Sequence, residues 1–162
     1  MVIADDNGLT LQPLTAANWR ACPELDLFEY QRTWVPSNLL SIAAAQFYPD
    51  NVSRAIVFNG QVVGFGLYGV EQGTGRIKVF RLMIGHDFQR RGFGRAAMHL
   101  MLRDITSRWP DVAVYVSYQS ENAVARRLYT TLGFVEIEEI DTKITACQPP
   151  LRHAKVEGRQ EC

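Results

Sequence analysis

Residues 82–97, LMIGHDFQRRGFGRAA, decide the fold. An apolar run that reads as a buried strand passes through a short polar turn into Gln89-Arg90-Arg91-Gly92-Phe93-Gly94, and from there directly into an amphipathic helix. The first amides of a helix have no intrahelical partner and carry a partial positive charge, so a helix start is a ready anion site. Glycine at that point lets the backbone come close to the anion, because no Cβ intervenes. Gly92 and Gly94 supply the access, and Arg90, Arg91 and Arg95 surround it with positive charge. The stretch reads as a pyrophosphate cradle.

Three glycine-rich phosphate motifs compete for it. A P-loop ends in Gly-Lys-Ser/Thr, which is absent here. Gly92, Gly94 and Ala97 fit the G-x-G-x-x-A of a dinucleotide fold. In that fold, however, the glycines follow their strand almost at once, and an acidic residue comes after the next strand. Here about seven residues part Ile84 from Gly92, and Asp111 precedes the following strand. The pattern left is Q/R-x-x-G-x-G/A, which residues 89–94 match at every fixed position.

A second stretch, residues 117–134, reads SYQSENAVARRLYTTLGF. Gly133 sits where a helix C′ residue belongs, and Ser120 or Asn122 could cap the start. Asn122 and Tyr129 are two helical turns apart and share a face, with the small Ala125 between them. Val124, Leu128 and Leu132 are expected on the opposite, core-facing side. A polar residue, a small residue and a phenol in one stripe suit an extended ligand with a reactive end. They equally suit a helix cap and a packing tyrosine.

Together the two stretches resemble the GNAT superfamily of acetyl-CoA-dependent N-acetyltransferases, and the resemblance runs in order over nearly the whole chain. It implies a mixed α/β sheet of six to seven strands with helices on both faces, in one domain over residues 1–147. It implies acetyl-CoA as co-substrate: its pyrophosphate on the amides of Gln89, Arg90, Arg91, Gly92, Phe93, Gly94 and Arg95, its pantetheine arm along Leu82, Met83 and Ile84, and a contact from Asn122. Tyr129 would protonate the departing thiolate. Many relatives carry proline where this chain has His86, a departure without chemical consequence.

The acceptor is less plainly written. Residues 30–49, YQRTWVPSNLLSIAAAQFYP, resemble a bacterial subgroup that acetylates spermidine, spermine and diamines, through Trp34, Val35 and Asn38, then Ser41, Ala43, Ala45 and Tyr48-Pro49. Pro36-Ser37 departs from the usual order of that subgroup. A polyamine site needs carboxylates spaced along a groove and aromatic faces for the cationic stem. Glu24, Asp26, Glu29, Tyr30, Trp34 and Glu71 are the candidates, with a solvated helix face and core aromatics as the plainer reading. No strand residue stands out as a base, since Phe80 is apolar where some relatives carry Glu, so a water relayed through backbone or Glu71 is expected to take the proton. Acetylation of a protein N-terminus or an aminoglycoside stays open, as does a non-catalytic acyl-CoA sensor. Retention of both Asn122 and Tyr129 favours the enzyme.

The 162 residues suit one domain with a real core, and the net charge of zero, with signs interspersed, argues against a nucleic-acid binder. Absence of a long apolar run argues against a membrane span. The opening MVIADDNGLT lacks a signal-peptide pattern, so a cytoplasmic location is expected. Three scattered histidines, with Cys22, Cys147 and Cys162 at no metal spacing, point to no metal. A small-molecule amine is the expected partner, with a homodimer left open. Strands are predicted at residues 9–14, 54–58, 62–70, 76–84, 112–118, 134–140 and 143–146. Asn59-Gly60 marks a tight hairpin, and helices are predicted at 15–27, 37–47 and 92–109 besides the Asn122 helix. Residues 148–162, with Pro149-Pro150 and unpatterned charge, read as a loose tail.

Overall fold

The computed structural model describes residues 1–34 and 36–150. Val35 and residues 151–162, which hold most of the predicted tail, lie outside the described residues. Eight strands form one sheet in the order β1-β2-β3-β4-β5-β6-β8-β7. The strands are β1 (Ile3–Ala4), β2 (Leu9–Pro13), β3 (Val52–Phe58), β4 (Gln61–Val70), β5 (Ile77–Ile84), β6 (Val114–Gln119), β7 (Val135–Ile140) and β8 (Lys143–Gln148). The strand beyond the six or seven expected is β1, two residues with too little pattern to be legible. Gln148 ends β8 and its Nε2 donates to the Leu132 carbonyl at 2.8 Å, so the folded chain extends past residue 147.

Pairing is antiparallel except between β5 and β6. Asn59 and Gly60 both take left-handed backbone, φ 49° and 79°, which matches a hairpin turn to the right-handed twist of β3 and β4. The larger core cluster lies under α3 (Phe93–Arg108), whose Ala97, Met98, Met101 and Ile105 recur at helical spacing and are buried. The helix α4 (Ala123–Thr131) sends Tyr129 into that same cluster. A smaller cluster on the other face holds Cys22 of α1 (Ala21–Glu24) and Ala45 of α2 (Asn38–Ala45) against Phe65 and Leu67.

The helix predicted over 15–27 is reduced to α1. Asn18 accepts the Thr15 N–H at 2.8 Å and donates to the Pro13 carbonyl at 3.0 Å, which closes a turn where the helix would start. Pro23 is tolerated only within a first turn, and Leu25 is already extended at ψ 121°. In α2, Ser37 caps the helix by accepting the Leu40 N–H at 3.2 Å.

One irregularity in the sheet makes room for a site. Between β4 and β5 the register moves from Leu67↔Arg81 to Tyr68↔Val79, so Phe80 is an extra residue on β5. Beyond it β5 leaves β6: their pairing covers only Ile77–Val79 with Val114–Val116. Leu82, Met83 and Ile84 remain bonded to β4 on one side and are unpaired on the other.

A buried ionic knot fastens α3 to the sheet. Asp104 of α3 receives Arg54 of β3 at 2.9 Å, Arg108 at 3.1 Å, and the Tyr68 hydroxyl of β4. Burial raises the Asp104 carboxyl, but the bonds from Tyr68, Arg54 and Arg108 outweigh it, and its pKa falls below the usual carboxylate value.

Candidate functional site

Where β5 and β6 part, a cavity of about 390 Å³ opens. Its wall on one side is the free edge of β5, Leu82, Met83 and Ile84; its floor is the start of α3, with Gly92, Gly94 and Arg95; α4 closes the far side. The α3 N-terminus is uncapped by any side chain. The first backbone bond into it is Ala96 N–H to the Gly92 carbonyl at 3.1 Å, which leaves the amides before Ala96 for a ligand. Gly92 has φ 82°, a left-handed conformation that glycine alone adopts freely, and a Cβ there would meet nothing within 4 Å. A Cβ on Gly94 would reach only Ile84 at 3.9 Å and Leu128 at 4.0 Å, both cavity residues. Packing within the protein therefore does not account for either glycine, and the space above them suits an anion.

Arg90 and Arg95 line the cavity, and no acid among the described residues does. Arg90 turns the loop in left-handed backbone at φ 63°. Arg91 instead lies over the Phe88 ring at 5.9 Å, and the Phe93 ring packs on Phe58 at 4.8 Å, so neither side chain faces the cavity. Gln89 ties the loop together: its Nε2 donates to the Ile84 carbonyl at 2.9 Å and to Gln31 Oε1 at 3.0 Å.

On α4, Asn122 lines the cavity while capping its own helix, its Oδ1 accepting the Ala125 N–H at 3.0 Å. Tyr129 lies two turns on. It packs on Tyr118 at 5.4 Å and Phe134 at 5.5 Å, yet it still borders the cavity. Burial, and to a lesser extent Tyr118, pushes its phenol up to about 12. The neighbouring Tyr118 hydroxyl is engaged: it donates to Glu136 Oε1 at 2.7 Å, and Arg126 holds the same oxygen at 2.8 Å. The expectation that Val124 faces the core is corrected, while Leu128 packs against the core cluster and borders the cavity as well. Val124 lines the cavity and is 64% exposed; only Leu132 is buried. At about 100° per residue Leu128 stands only about 60° round the helix from Ala125, so the lining face is broader than a single stripe.

Of the residues predicted for the acceptor, Tyr30 and Trp34 border the cavity, edge to face at 5.6 Å. Glu24 and Glu29 do not line it. Asp26 is bonded to Arg32 at 2.6 Å, and that bond, with one from the Leu27 amide, lowers its pKa. Glu71 lines a separate cavity of about 430 Å³ with Arg76 and Tyr115, and it is ion-paired with Lys78. Leu27 and Gln31, which the sequence reading passed over, complete the mouth. Gln31 and Gln89 are 58 positions apart, and nothing in the local pattern of either announces their contact.

Among the described residues there is no group of three or more His, Cys, Asp or Glu able to hold a metal, and no helix long and apolar enough to cross a membrane.

Comparisons with known proteins agree with this geometry. The acetyltransferase (GNAT) family model matches residues 13–134. The spermine/spermidine N(1)-acetyltransferase of Bacillus subtilis strain 168 is 22% identical over 140 residues, which are 83% of this chain and 92% of the relative. Among solved structures, the ribosomal-protein-S18-alanine N-acetyltransferase of Escherichia coli superposes with a TM-score of 0.69 at 21% identity, over 91% of this chain and 98% of that one. The PaiA N-acetyltransferase of Thermoplasma acidophilum, solved with coenzyme A, gives 0.68 at 12% identity over 87% and 98%. At such identities the structures speak for the fold.

Proposed function

The chain belongs to the acetyltransferase (GNAT) family and is an acetyl-CoA-dependent acyltransferase; from that premise we propose that it acetylates a primary amine of a polyamine such as spermidine or spermine, in the cytoplasm, with Tyr129 as general acid. The observation that carries the acceptor is the similarity to the Bacillus spermine/spermidine enzyme, which spans 83% of this chain. Tyr30 and Trp34 at the cavity mouth support it, because aromatic faces attract a cationic stem where carboxylates are absent.

Acetyl-CoA, when bound, supplies an acetyl group activated as a thioester. The amides at the start of α3, with Arg90 and Arg95, are suited to its pyrophosphate, and the unpaired edge of Leu82, Met83 and Ile84 to main-chain bonds along its arm. The site must also let two protons leave the amine nitrogen and deliver one to the sulfur. An alkylamine has a pKa near 10.4, so about one molecule in a thousand is neutral at pH 7, and the open cavity admits water to take the proton. The amine nitrogen then bonds to the thioester carbon and gives up a second proton to water as the C–S bond breaks. Tyr129 gives its phenolic proton to the sulfur that leaves and recovers one from solvent. Tyr129 fits this part better than Tyr118, whose hydroxyl is held by Glu136.

Purified protein incubated with acetyl-CoA and spermidine tests the reading. Stoichiometric thiol release with N-acetylspermidine identified by mass spectrometry is expected. Thiol release without an acetylated polyamine would overturn the assignment of the acceptor.

A further inference from the structure

Two glutamine amides meet head to tail at the wall of the cavity. Gln89 Nε2 donates to Gln31 Oε1 at 3.0 Å, and Gln31 Nε2 returns a bond to Gln89 Oε1 at 3.3 Å. Gln89 Nε2 also donates to the Ile84 carbonyl at 2.9 Å. A carbonyl can only accept, so it fixes which way the Gln89 amide faces, and Gln89 in turn fixes Gln31. The network joins the last residue of β5, the first residue of the glycine loop, and the segment 25–34 that carries Tyr30 and Trp34.

That segment has little else to hold it. Its regular structure is a single 3₁₀ turn, Glu29–Gln31. Most of its hydrogen bonds are internal: Asp26 accepts from Arg32 and from the Leu27 amide, the Tyr30 carbonyl from the Thr33 hydroxyl, and the Gln31 carbonyl from the Trp34 amide. Among the described residues, its hydrogen bonds to the rest of the chain are the His86 N–H to the Asp26 carbonyl, at 2.9 Å, and the Gln31–Gln89 pair. The first holds the start of the segment. The second lies beside Tyr30. A stretch with so few outward contacts belongs to the least stable part of a fold, where the loss of one link is felt.

We propose that Gln31 is a positioning residue that carries occupancy of the cofactor cradle to the acceptor side of the cavity. This rests on the reading of the α3 start as the acetyl-CoA site, and on no particular acceptor. Whatever engages the amides of residues 89–95 holds Gln89, and Gln89 holds Gln31. Gln31 then sets the edge-to-face pair of Tyr30 and Trp34 over the space for the amine. The exchange needs a donor and an acceptor on one planar end. Leu at position 31 keeps much of the bulk and loses both bonds, whereas Glu there keeps the bond it accepts.

Hydrogen exchange read by mass spectrometry, with coenzyme A as the probe, tests this in the wild type, Gln31→Leu and Gln31→Glu. Saturating coenzyme A is expected to slow exchange across residues 89–95 in all of them. In the wild type it should also slow residues 27–34 about tenfold, the scale of a coupling carried by a pair of neutral hydrogen bonds. That second effect should fall to about threefold or less in Gln31→Leu and lie between the two in Gln31→Glu. A merely structural role would loosen residues 27–34 equally with and without coenzyme A, so the quantity read is the difference that coenzyme A makes. Calorimetry with coenzyme A reads the cradle separately: a wild type that does not bind it would sink the reading of the site and the proposal with it. Where it binds, protection of residues 27–34 that is absent from the wild type, or no greater in Gln31→Glu than in Gln31→Leu, would overturn the proposal alone. Protection unchanged in Gln31→Leu would overturn it too, in favour of direct contact between the ligand and the segment.

Discussion

Asn122 and Tyr129 stand two turns apart on α4 and border one cavity, but their polar atoms are in different states. Asn122 Oδ1 accepts from the Ala125 amide at 3.0 Å, while the Tyr129 hydroxyl has no hydrogen-bond partner among the described residues. The first is fixed by the helix it caps. The second faces the open cavity, where a group that enters can accept its proton.

Tyr129→Phe removes that proton and keeps the ring contacts with Tyr118 and Phe134. The variant is expected to bind acetyl-CoA nearly as the wild type does and to lose on the order of 10²-fold in kcat. Calorimetric titration and a thiol-release assay separate the two quantities. Near-normal turnover in the Phe variant would leave Tyr129 a packing residue.

The pH profile gives an independent check. With its pKa pushed up to about 12, chiefly by burial, Tyr129 keeps its proton throughout the working range. The acceptor amine, with a pKa near 10.4, becomes more reactive as pH rises. We expect kcat/KM to climb steadily to about pH 10 without a falling limb. A falling limb centred below that point would mean an acid with a lower pKa than this phenol.

Gly94 offers a cleaner probe of the cradle than Gly92, whose left-handed backbone would add strain to any substitution. In Gly94→Val the new side chain lies beside Ile84 and Leu128 on the cavity floor. Acetyl-CoA should bind at least about tenfold more weakly, or about 1.4 kcal/mol, with folding little changed. Unchanged affinity by calorimetry would remove the α3 N-terminus from the binding site.

Asp104 concerns stability alone. Asp104→Asn leaves the buried Arg54 without its anion and should cost about 3–5 kcal/mol, read from urea midpoints at neutral pH. The folded pKa of Asp104 is lowered, so its contribution is full above the unfolded value of about 3.9 and is lost as pH falls through the folded value. Wild type and variant should therefore converge in stability at strongly acid pH.

Much of this was legible in the sequence. The strand, loop and helix around Gln89–Gly94, the Asn59-Gly60 hairpin and the Asn122 cap are encoded by residues near one another, where backbone chemistry alone decides. The reduction of the 15–27 helix was not legible, because it turns on where the Asn18 amide finds its partners. The bulge at Phe80 was equally hidden, since two strands must be paired before an extra residue exists. For the acceptor, a run of acids at Glu24, Asp26 and Glu29 suggested a cation groove. In the fold the cavity beside that segment takes its aromatics, Tyr30 and Trp34, and Asp26 spends its charge on Arg32.

The central claim, polyamine over peptide, is tested most directly by competition. Spermidine and a short peptide with a free N-terminal alanine, at equal concentrations in one reaction with acetyl-CoA, yield a product ratio that equals the ratio of their kcat/KM values. The account expects N-acetylspermidine to exceed the acetylated peptide by about tenfold or more, a difference of about 1.4 kcal/mol at the transition state. A product ratio favouring the peptide would contradict it.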